Sequence, residues 1–230
     1  MREIVFDTET TGLNPAEGDK IVDIGAIELI DHLPTGRRFQ RYINPMRSLS
    51  DEVVKIHGLT EEFLADKPTF EEICHEFLEF IGTDSFLVAH NASFDMKFLN
   101  YELKQAGCDE LNMNRVIDTM ELAHKMFPGA RANLDELCRR FHIDNSSRTL
   151  HGALLDAQLL VEVYLELLGG REPDLLLHKE SKSEDLGVVY AAQPVRPARV
   201  FTVPAEEKKA HEEFLKKLKD PMWEKEDVHE

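Results

Sequence analysis

Ile4-Val5-Phe6-Asp7-Thr8-Glu9-Thr10-Thr11-Gly12 is the stretch from which the rest of the chain is read. Ile4, Val5 and Phe6 are β-formers in an unbroken apolar run, the pattern of a strand covered on both faces. Two carboxylates follow, Asp7 and Glu9. Side chains at i and i+2 of an extended chain point to the same side, so a buried strand delivers two negative charges to one spot at its end. That is costly unless cations or protons compensate. Paired oxygen ligands suit hard divalent ions such as Mg²⁺ or Mn²⁺. Taken alone, an Asp-x-Glu is more often the solvated end of a strand, so the remaining chain has to decide.

Outward from this stretch, residues 13–19 read as a loop, and 20–30 and 37–43 as two further strands. Their short connections favour antiparallel neighbours. Gly25 and Ala26 leave room for another backbone to approach. Ser50 caps a short helix that Gly58 ends, Thr60 opens another helical piece, and Thr69 caps a longer helix. The apolar stripe of that helix is Phe70, Ile73, Phe77, Leu78 and Ile81, and Gly82 stops it. Phe86-Leu87-Val88-Ala89 is wholly apolar and reads as a central strand. It leads into His90-Asn91-Ala92-Ser93-Phe94-Asp95 and a helix closing at Gly107. Val116-Ile117 reads as a last strand. A helix up to Phe127, another capped by Asn133 and a strong one over 150–168 complete the pattern of an α/β fold with a mixed sheet.

The length of 230 residues allows one α/β domain with an appendage, and the composition, 42% hydrophobic and 31% charged, is that of a soluble globular protein. No apolar run is long enough to span a bilayer. The strand-like start gives no sign of a signal peptide. Cys74, Cys108 and Cys138 are far apart, odd in number and without zinc spacing, which fits reduced thiols in the cytoplasm. The formal net charge of −17 disfavours a grip on long duplex nucleic acid. A nucleic-acid substrate would be a short stretch held locally, with sustained grip supplied by a partner.

Beyond Gly170 the texture changes. Residues 171–198 are charged and carry three prolines, as a linker does. Residues 199–230 hold a strand-like Val200-Phe201-Thr202-Val203 and a helix over 205–218 bearing Phe214, Leu215 and Leu218, then Trp223. That is too little core to fold alone. The expected organisation is a domain over 1–170, a flexible linker over 171–198 and a partner-binding tail over 199–230.

In open sheets, sites form at strand ends near a topological switch. If the strands ending at Phe6 and Ala89 are parallel neighbours, Asp95 comes near Asp7 and Glu9, and Asn91 shares its helix face at i, i+4. By itself Asp95 also reads as a helix-entry residue complementing the macrodipole. The last helix brings His151-Gly152-Ala153-Leu154-Leu155-Asp156. With His151 at the helix entrance and Asp156 on the first turn, both aim at one pocket, although a histidine there also reads as a cap or a surface residue. Asp156 lies among Leu154, Leu155, Leu159 and Leu160, and an unpaired buried aspartate is rare. Asp118, ending a strand, reads as structural.

Taken together, Asp7-Thr8-Glu9, Asn91-Ala92-Ser93-Phe94-Asp95 and His151-Gly152-Ala153-Leu154-Leu155-Asp156 resemble, in order, the three motifs of the DnaQ-like 3′→5′ exonucleases, in the branch with four acids and a histidine. The resemblance covers residues 1 to about 170 and implies a ribonuclease-H-like, mixed five-stranded sheet flanked by helices. Lys125-Met126-Phe127-Pro128-Gly129 and the stretch from Asp144-Asn145-Ser146 to Asp156-Ala157-Gln158 look like the proofreading epsilon subunits of bacterial DNA polymerase III. The tail is similar to them more loosely, through Arg199-Val200-Phe201 and the helix with His211.

The resemblance implies two divalent ions, Mg²⁺ or Mn²⁺, held by Asp7, Glu9, Asp95 and Asp156, with His151 as general base. Beside them, Thr10, Leu13, His57 and Asn91 would join Asp7, Glu9 and Asp156 in binding the terminal nucleotide. The implied partners are a single-stranded DNA 3′ end, the polymerase alpha subunit through the tail, a sliding clamp through Leu175-Leu176-Leu177, and a small theta-like subunit. An oligoribonuclease or a stand-alone repair or RNA-trimming exonuclease would share the same motifs. A non-catalytic subunit that only stabilises a polymerase would not need all five.

Overall fold

The structure, a computed structural model, describes residues 1–146, 148, 150–169 and 204–216. Five strands form one mixed sheet: β1 (Arg2–Thr10), β2 (Ile21–Ile30), β3 (Leu33–Tyr42), β4 (Phe86–Ala89) and β5 (Val116–Asp118), in the order β3-β2-β1-β4-β5. β2 pairs antiparallel with β1 and β3, while β4 runs parallel to β1 and β5 parallel to β4. The parallel pairs need crossovers. These are α1 (Asp51–His57), α2 (Glu61–Leu64) and α3 (Phe70–Ile81) before β4, and α4 (Ala92–Gln105) before β5. α5 (Thr119–Met126), α6 (Leu134–Phe141) and α7 (Ala153–Leu167) follow.

Two apolar layers sandwich the sheet. Ile4 and Phe6 of β1 face a core built with Phe77 of α3 and Leu99 of α4. Val5 faces the other, built with Leu137 of α6 and Leu160 of α7. The period of two in a strand then assigns the polar residues that continue β1. Asp7 and Glu9 keep to the face of Val5, under α7, and Thr8 keeps to the face of Phe6, toward α4.

The capping signals act as the sequence predicts. Ser50 accepts from the Val53 N–H, Thr60 from Phe63 and Asn133 from Glu136. Thr69 and Glu72 form a capping box on α3. Three boundaries differ from the sequence reading. β1 continues through Thr10, because β2 still pairs with it there, with Asp7 opposite Gly25 and Glu9 opposite Asp23. The acids are therefore inside the strand, but the parallel partner stops at Val88, so this part of β1 has one open edge. β3 starts at Leu33, four residues early, through a two-residue hairpin at Asp31 and His32, whose φ values are +48 and +65. Nothing in Asp-His advertises that turn. α7 begins at Ala153, and His151 lies just before it in chain that donates its N–H to the Ile56 carbonyl at 3.1 Å.

α7 is fastened at both ends. Near its far end the Tyr164 hydroxyl donates to buried Glu3 at 2.7 Å. At its start the Ala153 N–H donates to Asp23 of β2 at 3.1 Å, and the helix backbone lies directly on Gly25. A Cβ at Gly25 would stand 2.2 Å from the Leu154 nitrogen, which is the close approach that the small residue permits.

α8 (Ala205–Leu215) stands as a separate unit, with every described side chain exposed except half-buried Leu215. The linker 171–198 with Leu175-Leu176-Leu177, the strand-like 200–203, Leu218 and Trp223 lie outside the described residues. Among the described residues no helix is long and apolar enough to cross a membrane.

Gly25→Ala is expected to destabilise the domain by about 1–3 kcal/mol, the usual cost of overpacking, and to lower activity by shifting the first turn of α7. Thermal unfolding together with a nuclease assay checks this; an unchanged midpoint would mean that α7 does not bear on β2 as described.

Candidate active site

Three separate stretches converge where β1 loses its parallel partner. β1 contributes Asp7 and Glu9, the first turn of α4 contributes Asp95, and the entrance of α7 contributes His151 and Asp156. All five line one solvent-open cavity of about 420 Å³. Ligand atoms of Glu9, His151 and Asp156 lie within 4.8 Å of one another. On the opposite face of β1, the Thr8 hydroxyl donates to Asp95 Oδ1 at 2.6 Å and fixes that carboxylate.

The cavity is open at its mouth, but its acids are crowded and mostly covered, and they respond. Burial, and then the charges of Asp95, Glu9 and Asp156, hold Asp7 well above the usual carboxylate range. Burial, followed by the charge of Asp156, pushes Glu9 up to about 8. Burial pushes Asp95 up to about 7 against the opposing hydrogen bond from Thr8. Asp156 behaves differently. Burial raises it, but hydrogen bonds from His151 and Arg148 outweigh burial and leave it below its ordinary value. The hydrogen bond to Asp156 in turn raises His151. Clustered carboxylates that cannot all ionise alone are a donor set suited to hard divalent cations.

Two site residues went unread in the sequence. Arg148 forks onto Asp156, with Nε donating to Oδ1 at 2.6 Å and Nη2 to Oδ2 at 2.7 Å. Its Nη1 reaches Asp135 at 2.8 Å, and Nη2 lies 2.9 Å from His151 Nδ1. An arginine eight residues before an aspartate carries no local signal, because the bend that brings them together is set by tertiary contacts. Asp23 is the other. It is 1% exposed, burial pushes it up to about 7, and it anchors the start of α7. Its place in the alternation of β2, beside Gly25, was the available clue.

The residues expected around a terminal nucleotide are less tightly gathered, and Thr10, Leu13, His57 and Asn91 do not line the acid cavity. Thr10 donates its hydroxyl to the Gly12 carbonyl, and Leu13 is 79% exposed. Asn91 is exposed at the start of α4 with φ of +61. His57 is buried at the end of α1, next to Ile56, which pairs with the His151 backbone. Its Nδ1 accepts from the Leu59 N–H, so the neutral ring carries its proton on Nε2, an atom with no partner among the described residues. Asp118 is structural, as expected: it accepts from the N–H groups of Asn91, Ala92 and Met120 and so ties the start of α4 to that of α5.

An acid whose folded pKa is raised contributes stability that is present below its unfolded value and lost as pH rises through the folded one. Without divalent cations, the domain should therefore lose stability as pH climbs from about 4 to about 8, the window set by Glu9, Asp95 and Asp23. Glu9→Gln should raise the unfolding midpoint in chelator at pH 8 by on the order of 5 °C and flatten that dependence. Midpoints across pH for parent and variant check this; parallel curves would show that Glu9 is not the strained group.

Comparison with known proteins shows the family. The exonuclease family model RNase_T matches residues 4–164. The DNA polymerase III subunit epsilon of Rickettsia felis is 48% identical over 223 residues, covering 95% of this chain and 97% of that protein. The Escherichia coli K12 subunit of the same name is 44% identical over 225 residues, covering 93% and 92%. Among solved structures, exonuclease X in complex with 5′-overhanging duplex DNA is similar with a TM-score of 0.56 and 29% identity, over 73% of this chain and 90% of that one. The nuclease domain of 3′hExo, a DEDDh family member bound to rAMP, shares the fold with a TM-score of 0.63 at 19% identity, over 73% and 91%. The chain thus belongs to the exonuclease family, among the DNA polymerase III epsilon subunits.

Proposed function

We propose that this chain removes mispaired 3′-terminal nucleotides during DNA replication as a metal-dependent 3′–5′ exonuclease, with Asp7, Glu9, Asp95 and Asp156 as the metal ligands and His151 as the general base. The observation that supports it most is the convergence of these five residues on one cavity from three distant stretches of chain. The donor set fits two hard ions, Mg²⁺ or Mn²⁺. When bound, such ions supply charge for the attacking and leaving oxygens of a phosphodiester.

The protein's own groups do the rest. Thr8 holds Asp95 in place, and Asp23 and Gly25 set the first turn of α7 so that Asp156 faces Glu9. The His151 ring is about half exposed, as a base that takes a proton from an attacking water must be. Arg148 holds Asp156 in its fork and must yield some of those contacts if that carboxylate is to serve as a ligand. Thr10, Leu13, His57 and Asn91 border the terminal nucleotide, Leu13 through its exposed apolar side chain and His57 through its Nε2–H donor.

Relatives carrying the epsilon name point to assembly with DNA polymerase III in the cytoplasm. Here residues 199–230 would dock on the polymerase alpha subunit and 171–198 would act as the tether, with a sliding clamp contacted through Leu175-Leu176-Leu177 and a small theta-like subunit bound elsewhere. α8 supports this reading with an exposed aromatic, Phe214, 56% accessible, the kind of anchor that dominates interfaces. A short flexible tether raises the local concentration of the nuclease to roughly mM, which would let an acidic domain act beside the primer end. An oligoribonuclease has no evident need of such a tail.

His151→Ala should lower turnover by about 10²–10⁴ while leaving divalent-ion affinity near that of the parent, and at saturating divalent ion the acidic limb of the pH–rate profile should become shallower as the histidine's contribution is lost. A variant defective only in metal binding would contradict the base role. Truncation after residue 170 should leave hydrolysis of free single-stranded DNA nearly intact and abolish co-purification with the polymerase. Full-strength binding by the truncated domain would move the interface onto the catalytic body. Preference for short RNA over mispaired DNA would favour the oligoribonuclease reading.

A further inference from the structure

Cys74 and Cys108 are 34 residues apart in sequence, yet the fold brings their Sγ atoms to 3.6 Å. Cys74 lies on the buried stripe of α3, and Cys108 follows the turn at Gly107 that closes α4. His75 is next on α3 and points outward. One of its ring nitrogens and the two sulfurs all lie within 4.8 Å of one another. The three cysteines are free, as the sequence reading expects, and packing of α3 against α4 brings together two that the sequence separates.

Two thiolates on a tetrahedral ion at about 2.3 Å each stand roughly 3.8 Å apart, close to the spacing found. A disulfide would require the sulfurs to close to about 2.05 Å. As thiols the pair is weakly used: Cys74 donates to the Glu71 carbonyl at 3.2 Å, and Cys108 lies 4.0 Å from the Ala106 carbonyl. Burial is graded across the three, with Cys74 buried, Cys108 half-buried and His75 exposed, so the triangle opens to solvent on its imidazole side.

We propose that Cys74, His75 and Cys108 form a binding site for a thiophilic divalent cation of the zinc class. Binding releases the two thiol protons to solvent and gives a neutral centre of two thiolates and one neutral imidazole, with the fourth tetrahedral position left to water. The site shares no residue with the acid cavity. Ligand softness separates the two: sulfur and imidazole here select soft or borderline ions, while carboxylates there suit hard ones. An ion here would staple α3 to the end of α4, the helix whose first turn bears Asp95.

The test uses the full chain, reduced and stripped with chelator, titrated anaerobically with Co²⁺ in excess Mg²⁺ so that the carboxylates are already served. The expected result is a thiolate-to-cobalt charge-transfer band in the near-ultraviolet that saturates at one equivalent, is displaced by Zn²⁺ and is accompanied by a higher unfolding midpoint. Cys108→Ser and Cys74→Ser should each abolish the band. His75→Ala should weaken binding by at least the roughly tenfold that even outer partners of a site cost. Cys108 is only half-buried and His75 is exposed, so these two variants remain informative if Cys74→Ser fails to fold; Cys108→Ser should keep its exonuclease rate. Absence of the band, or its survival in both cysteine variants, overturns the proposal. So does a protein that loses two hydrogens in air as a Cys74–Cys108 disulfide but never binds Co²⁺ when reduced.

Discussion

Mutual repulsion among four carboxylates crowded into one cavity is the constraint around which this domain is built. Nothing about Asp7, Glu9, Asp95 and Asp156 favours their meeting, so the scaffold has to impose it. β1 is held by β2 on one edge along its whole length and by β4 on the other only as far as Val88. That gives a rigid strand with one late opening, and the opening is where the acids project. α7 is then pinned at both ends, through Tyr164 on Glu3 and Ala153 on Asp23, with its first turn seated on Gly25. The free energy of the two apolar layers is large compared with the strain in the cavity, so the site can be unfavourable locally without unfolding the domain.

The repulsion is relieved in two different ways. Asp7, Glu9 and Asp95 are pushed toward protonation by burial, whereas Asp156 keeps its charge because Arg148 and His151 lie on it. Pairs of titratable groups whose surroundings drive them apart are the mark of a functional site rather than of structural ion pairs. Elsewhere the same chain pairs two of its buried acids fully. Glu28 takes Arg2, Arg37 and Thr35, and Glu102 takes Lys20 and the Ile21 N–H. The contrast shows that the chain has the means to pair buried carboxylates and that the cavity is left underpaired.

Much of this was legible in the sequence, for physical reasons that can be named. The caps at Ser50, Thr60, Thr69 and Asn133 are local chemistry, so their helices could be placed closely. The antiparallel pairing of the first three strands followed from their short connections, and the five-stranded mixed sheet from the family resemblance, whereas the order β3-β2-β1-β4-β5 was not read. The approach of a backbone to Gly25 was visible because only a missing side chain permits it. What could not be read depended on tertiary geometry. The Asp31-His32 hairpin uses positive φ without glycine, Arg148 reaches Asp156 through a bend with no sequence signature, and the acids of β1 lie inside the strand because β2 extends its pairing past β4.

A net charge of −17 over the whole chain works against DNA binding by long-range attraction, and the cavity sharpens the problem, because a phosphodiester brings a further negative charge to crowded acids. On the proposed reading of the acids as metal ligands, substrate and cations would therefore have to arrive in a coupled way. Ionised carboxylates without cations would expel the phosphate, and protonated ones could neither hold cations nor leave His151 near a carboxylate that supports its charge. This coupling gives a reason why the acid site tolerates Arg148. A guanidinium on Asp156 keeps one carboxylate ionised and oriented in the absence of other cations, so that the cavity retains part of its working geometry. The cost is a competitor for the same two oxygens, and a bidentate, weakly hydrated guanidinium holds them more firmly than a compact, strongly hydrated ammonium would. On that argument the identity of the residue at position 148 matters as much as its charge.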